Sequence, residues 1–224
     1  MAKTEKVSHS LYDGEIAIDF YPNSHQYRLQ GEKTSLMGVT TALGIVDKSA
    51  PLLHWATHLM ADTLSAALKE NGKITPADIL YATDIYNIKK EEAAELGSRV
   101  HAWCEQYVKG FHTPENLPEM PEDERICNGI NAFLDWVREY QVKFVSAERV
   151  VFSKKYGYVG TMDCEFTMGI ENHKIVHAGD YKTSNGIYET MAYQVSAYQH
   201  AAYEETGTQY GDKWILRFQK ENKI

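Results

Sequence analysis

Cysteine is scarce in this chain. There are three in 224 residues, Cys104, Cys127 and Cys164, odd in number and far apart. No Cys-x-x-Cys pair exists, which argues against a zinc ribbon, and three thiols cannot supply a four-cysteine iron–sulfur cluster. They make a poor disulfide framework and suit a reducing compartment. Long hydrophobic runs are also missing: nothing approaches the roughly 18 apolar residues of a membrane span. The N-terminal lysines are not followed by an apolar stretch, so no secretory leader is expected and the default location is the cytoplasm. Positive charge is in short supply, with 23 Lys and Arg against 31 Asp and Glu and a net charge of -8. That disfavours a protein that merely coats nucleic acid. It leaves room for an enzyme whose acidic site is offset by bound cations, beside a local basic groove.

What is present is an ordinary globular composition, 43% hydrophobic and 24% charged, enough for one domain or a core with a helical elaboration. Alternation over 15–20 and 25–29, around Asn23 and Ser24, predicts a small antiparallel hairpin. Leu53, Ala56, Met60, Leu64 and Leu68 recur at helical spacing after Pro51, and Asn71-Gly72 closes that helix. Thr75-Pro76 opens a short second helix, and a longer one is expected over about 87–108. Residues 110–123, with Gly110 and three prolines, read as a loop or a border between two lobes. The remainder reads as a helix (about 122–141), strands over 144–152, 158–168 and 174–182, a helix over about 187–205 and a strand at 214–218. That α-β-β-β-α-β order predicts a mixed α/β domain whose sheet is covered by helices. The expected division is a hairpin and helical elaboration over 1–120, contributing His101, packed on a core over 121–224.

The chemistry concentrates in that core. Asp180 and Lys182 stand at i and i+2 at the end of a strand, so they project to one face. A carboxylate there can hold a hard cation, and the ammonium can orient a water or stabilise charge on a phosphate. The Tyr181 carbonyl between them is a further metal donor. Antiparallel pairing across a turn near Glu171 and Asn172 would bring Asp163 to Asp180, and two carboxylates at one spot call for a cation between them. Glu165, on the strand face expected for Asp163, is a reserve ligand. Gln194 and Tyr198, at i and i+4, share a face of the next helix, able to support Lys182 or a phosphate. His101, one turn after Gly97, is a further ligand candidate, with Glu105 placed to orient its imidazole. Each piece has an ordinary reading too: an exposed ion pair, helix packing, a structural histidine.

Taken in order, Gly97…His101, Gly160…Asp163, Asp180-Tyr181-Lys182-Thr183-Ser184 and Gln194…Tyr198 resemble the RecB-like branch of the PD-(D/E)XK nucleases. Tyr21-Pro22-Asn23-Ser24-His25, with Tyr27, Val39, Thr40, Thr41, Leu43, Lys48 and Trp55, is similar to phage-type exonucleases of that branch. The resemblance implies a restriction-endonuclease-like core and Mg²⁺ or Mn²⁺ held by Asp163, Asp180, the Tyr181 carbonyl and His101, with no iron–sulfur cluster. Lys182 would position the attacking water, with Gln194 and Tyr198 in support. Glu148, on the first core strand, stands where relatives often carry an acid. Relatives continue into another helix beyond the last strand, which leaves open a truncated or minimal version here.

The function this implies is a metal-dependent DNA exonuclease in phage or bacterial recombination, repair or replication, acting on DNA with a free end in a bacterial or phage-infected cell. Alternatives are a structure- or site-specific endonuclease on the same core, a catalytically silent DNA-binding accessory protein, or a metal-binding regulatory domain. Glu148, Arg149, Lys154, Lys155, Thr183 and Ser184 are candidate DNA contacts, with Lys143 and Arg217 as further cations and Tyr158 or Tyr188 as base-stacking rings. A homo-oligomer or a recombination partner protein stays open; a membrane partner is not expected.

Overall fold

The computed structural model describes residues 5–110, 117–171 and 173–218. The chain divides into two compact units, residues 46–99 and the remainder. This division differs from the expected one at 120, because the N-terminal hairpin belongs with the sheet and only the helical 46–99 segment stands apart. Of the expected loop over 110–123, residues 111–116 lie outside the described part, as does Asn172 of the expected turn.

The smaller unit is helical. It holds α2 (Ser49–Asn71), closed by Gly72 in the left-handed conformation that glycine adopts without strain. It also holds the first two-thirds of α3 (Pro76–Gly110). Thr75 and Asp78 cap α3 reciprocally, the Asp78 carboxylate accepting from the Thr75 amide at 2.8 Å and the Asp78 amide donating to the Thr75 hydroxyl at 3.3 Å. The short helix expected at 76 and the longer one expected from 87 are therefore one helix of 35 residues. No glycine or proline falls between Pro76 and Gly97 to stop it. Inside this unit Trp55 meets Tyr86 edge-on, with ring centroids 5.1 Å apart.

The larger unit carries two sheets. β1 (Val7–Leu11), β2 (Ile16–Tyr21) and β3 (Gln26–Leu29) form an antiparallel meander. β2 and β3 are the expected hairpin; β1 escaped the sequence reading because its polar residues hide the alternation. The second sheet is mixed. β5 (Val142–Ser153) and β6 (Tyr158–Met168) form a long antiparallel hairpin, β7 (His177–Lys182) pairs antiparallel with β6, and β8 (Lys213–Arg217) runs parallel to β7. The two-residue β4 (Met37–Gly38), leading into the short helix α1 (Val39–Ala42), adds parallel to the start of β6.

Helix α5 (Glu189–Thr206) covers one face of this sheet, with Val195, Tyr198, Ala201 and Ala202 packed on Val151, Met162 and Ala178. The two alanines let the helix axis approach the strands closely. Helix α4 (Glu124–Glu139) covers the other face. Its Ile126, Ile130 and Phe133 recur at helical spacing and are fully buried, and Asp123 caps its first turn. Beside it, Val150, Phe152 and Val159 pack on Leu11, Ile18 and Tyr27 of the three-stranded meander. Phe133 is the hub of the α4 side, within 5.4–6.3 Å of the rings of Trp103, Tyr107, Phe144, Tyr181 and Phe218. Phe133→Ala is expected to lower the unfolding free energy by about 3–5 kcal/mol in a urea titration. A loss under about 1 kcal/mol would mean that the cluster repacks and that the hub reading is wrong.

Candidate functional site

The site forms where the sheet loses its regular pleat. Along β6, Gly160 and Met162 face α5, and regular alternation would turn Glu165 towards α4. Instead Glu165 lies on the α5 side, bonded to Arg149 and Tyr210, while Phe166 meets Trp136 of α4. The face therefore switches between Met162 and Glu165, and Asp163 sits at the switch. On β5, pairing runs from Ala147↔Cys164 to Arg149↔Met162 and skips Glu148 and Asp163, which that register sets opposite each other. Glu148 takes a left-handed φ of 49°, strained for a residue with a Cβ. On the other side the β6–β7 ladder stops at Cys164↔Gly179, one residue short of Asp163 and Asp180. Three acids thus lie in a row across three neighbouring strands at a local opening of the sheet.

Asp180 is 1% exposed. Its Oδ1 accepts from the Gln194 amide at 3.0 Å, and that same amide nitrogen lies 2.9 Å from the Tyr198 hydroxyl. Its Oδ2 forms an ion pair with the Lys182 ammonium, yet no donor is aligned on it as a hydrogen bond. Asp163 Oδ2 accepts from the Tyr181 amide at 2.6 Å and lies 3.7 Å from His101 Nδ1. Burial raises the pKa of both aspartates; the charge of Asp163 raises that of Asp180 further, and Lys182 works against the rise in each. Glu148 is pushed up to about 8, by burial first and then by the charges of Asp163 and Glu105. The His101 pKa is lowered, chiefly by burial and then by Lys182, while its bond to the Tyr181 carbonyl opposes the fall. Asp163 and Asp180 thus lie beside the Tyr181 backbone, with the His101 imidazole 3.7 Å from Asp163.

Gly160 makes this arrangement fit: a Cβ there would stand 2.4 Å from Cε1 of Tyr198. Only a residue without a side chain lets the tyrosine lie flat on β6 and present its hydroxyl to Gln194. Tyr181 points its ring to the opposite face, against Phe133 and Phe218, leaving only its backbone at the site.

The donor set suits a hard divalent cation. Two carboxylates at one spot are costly until a cation shares them, and Lys182 meets that cost only at Asp180 Oδ2. Among the described residues no three His, Cys, Asp or Glu side chains close around one point. A cation here would rely on Asp163, Asp180, the Tyr181 carbonyl and water, the sparse protein ligation that Mg²⁺ accepts.

Several expected residues lie elsewhere. Glu165 is no reserve ligand: it is 4% exposed and bonded to Ser146, Arg149 and Tyr210, because the break in alternation carries it away from Asp163. Arg149 is not a free DNA contact, since its guanidinium bridges Glu165 at 2.7 Å and Glu205 at 2.9 Å. Tyr158 is not a free stacking ring; its hydroxyl donates to the Ala197 carbonyl at 2.8 Å. Glu105 pairs with Lys109. Lys154 pairs with Glu15 and lies over the Tyr12 ring, and Lys155 lies over Tyr156, both still exposed. Thr183 and Ser184 follow Lys182 directly, half-buried, with the Ser184 hydroxyl donating to the Gly186 carbonyl at 2.7 Å. Lys143 and Tyr188 are exposed, and Arg217 donates to the Asn185 carbonyl at 3.4 Å.

One neighbour of the site was named in the sequence only as part of a motif, without a place at the site. Tyr27 of β3 is buried, its hydroxyl is 2.6 Å from that of Thr161, and the charge of Glu148 contributes to its raised pKa after burial itself. Its only signal was its membership of the Tyr21–Tyr27 run. No protein-family model matches the chain, and no curated protein matches it.

Two outcomes are expected. With a chelator present, the folded chain holds protons on the aspartate pair that the unfolded chain has released. The pair's contribution to stability is therefore full below the ordinary aspartate pKa and is lost as pH rises through the raised values. Relative to Asp180→Asn, the wild-type melting temperature should fall between about pH 5 and about pH 8, and Mn²⁺ should restore it at the upper end. A flat difference would refute the raised pair. Separately, Arg149→Ala should cost about 3–5 kcal/mol by leaving buried Glu165 and half-buried Glu205 without their cation; a change below about 1 kcal/mol in chemical denaturation would assign the cluster no structural weight.

Proposed function

We propose that the chain is a metal-dependent deoxyribonuclease of the PD-(D/E)XK superfamily, on the RecB-like, phage-type exonuclease branch, with a restriction-endonuclease-like core. The observation that carries this reading is the set formed by Asp163, Asp180 and Lys182 at the open end of β6 and β7, tied by Gln194 to Tyr198. A surface ion pair would not bury Asp180 against Asp163, which argues for a purpose other than stability.

Mg²⁺ or Mn²⁺ bound at the two aspartates would supply Lewis acidity and a water of lowered pKa. The chain's own groups account for the rest of the chemistry. Lys182, about one-fifth exposed, reaches from the buried Asp180 towards solvent, where its ammonium can orient a water or stabilise charge developing on a phosphate. Gln194 fixes the Asp180 carboxylate, and Tyr198 fixes Gln194, so rotation of the acid is restricted from the α5 side. His101 and Tyr27 close the opposite side. The substrate proposed is DNA with a free end, met in recombination, repair or replication, with exposed Lys143, Lys154 and Lys155 as backbone contacts.

The test is digestion of end-labelled single- and double-stranded linear DNA beside closed circular DNA, with Mg²⁺, Mn²⁺ or EDTA. Metal-dependent loss of the linear forms alone is expected, with Lys182→Ala slower by about 10²–10⁴-fold and Tyr198→Phe by less. Cutting of the circle would replace the exonuclease with an endonuclease on the same site. An intact, folded protein that binds DNA without cutting any form would make it an accessory protein.

A further inference from the structure

Helix α2 carries a second cluster of donors, unrelated to the acidic site. His54 and His58 stand one turn apart, both exposed, with their Nε2 atoms 3.0 Å apart and their ring centroids 4.2 Å apart at an interplanar angle of 46°. The two imidazole nitrogens share one hydrogen bond, and a metal ion can take the place of the shared proton. An imidazole nitrogen binds a transition metal at about 2.0–2.1 Å. Two such donors at a right angle about one ion lie about 2.9 Å apart, whereas a tetrahedral pair lies about 3.4 Å apart. The observed 3.0 Å is that of an N–H···N hydrogen bond, and replacing the shared proton by a right-angled ion would move the two nitrogens by only about 0.1 Å.

We propose that His54 and His58 form a nitrogen-donor metal site selective for divalent ions that accept cis, right-angled coordination, Cu²⁺ first and Ni²⁺ next. Ligand type and bite agree on this choice. Imidazole favours copper and nickel over Mg²⁺ or Mn²⁺, and the intrinsic affinity order places Cu²⁺ above both Ni²⁺ and Zn²⁺. Among the described residues no third His, Cys, Asp or Glu completes the set, so water fills the remaining positions and the ion exchanges readily. The site also has a structural consequence. None of the 23 residues of α2 is fully buried, so packing holds this helix weakly, and a clip across one turn adds most where packing adds least. The acidic site offers mainly oxygen donors and the α2 site nitrogen alone, so the two select different ions on one chain.

The experiment is a Cu²⁺ titration of the whole chain followed by electron paramagnetic resonance and by thermal melting, in wild type, His54→Gln, His58→Gln and the double variant. One tight equivalent is expected, with hyperfine coupling to two imidazole nitrogens and a rise in melting temperature. Each single variant should lose at least about ten-fold in affinity, and the double variant should lose the two-nitrogen signal. Asp163→Asn/Asp180→Asn should keep that signal in full, which separates this site from the proposed nuclease centre. A double variant that retains the two-nitrogen spectrum would overturn the assignment, as would Zn²⁺ binding as tightly as Cu²⁺. A wild-type spectrum with one nitrogen or none would do so without recourse to any variant.

Discussion

Two carboxylates buried beside each other impose the central constraint on this molecule. Asp163 and Asp180 are held against the hydrophobic interior of a sheet, where charge is poorly solvated and like charges repel. Every neighbouring feature answers that cost in part. A backbone amide bonds Asp163, a glutamine amide bonds Asp180, and Lys182 supplies the opposite charge. Burial still outweighs these partners, and the pKa of each aspartate stays above its ordinary value. Proteins keep such arrangements where they bind ions or perform chemistry, since an apolar substitute would be more stable.

The backbone is shaped around that constraint. The alternation of β6 reverses at Asp163, β5 adopts a left-handed conformation at Glu148, and the β6–β7 ladder ends one residue before the acids. These irregularities splay the strands and aim side chains that a flat sheet would send to opposite faces. Rigid packing on both sides holds the distortion: α5 through Gly160 and Tyr198, α4 through the Phe133 cluster. The second charged cluster, Arg149 with Glu165 and Glu205, shows the contrasting case. There each buried carboxylate has its cation and hydrogen bonds, so the group is satisfied and fastens β5, β6 and α5 together.

The two units differ in how they are stabilised. The sheet unit has a dense aromatic and aliphatic core, with Ile130, Phe133, Val151, Val159 and Phe166 wholly buried. In the 46–99 unit α2 has no fully buried residue, and its most pronounced local feature is a pair of histidines facing each other across one turn. Oxygen donors fixed by a rigid core and nitrogen donors on an exposed helix are different kinds of site, and the ions they select follow from ligand chemistry.

Local pattern carried much of this structure. The apolar spacing of α4, the strand-like runs of β6 and β7, and the glycine that ends α2 were all legible, because each depends on residues near in sequence. The pairing of Asp180 with Lys182 and of Gln194 with Tyr198 was legible too, since strand and helix periods place each pair on one face. What the sequence left undetermined depends on residues far apart. The break in alternation separates Glu165 from Asp163, and Arg149 turns inward to Glu205, 56 residues away. The hydroxyl of Tyr27 meets Thr161 across 134 residues. α3 also runs unbroken where two helices were expected. A period of two or of 3.6 describes a regular element. The burial of charge at the site favours an irregular one, and only the packed sheet and its helices decide where that irregularity falls.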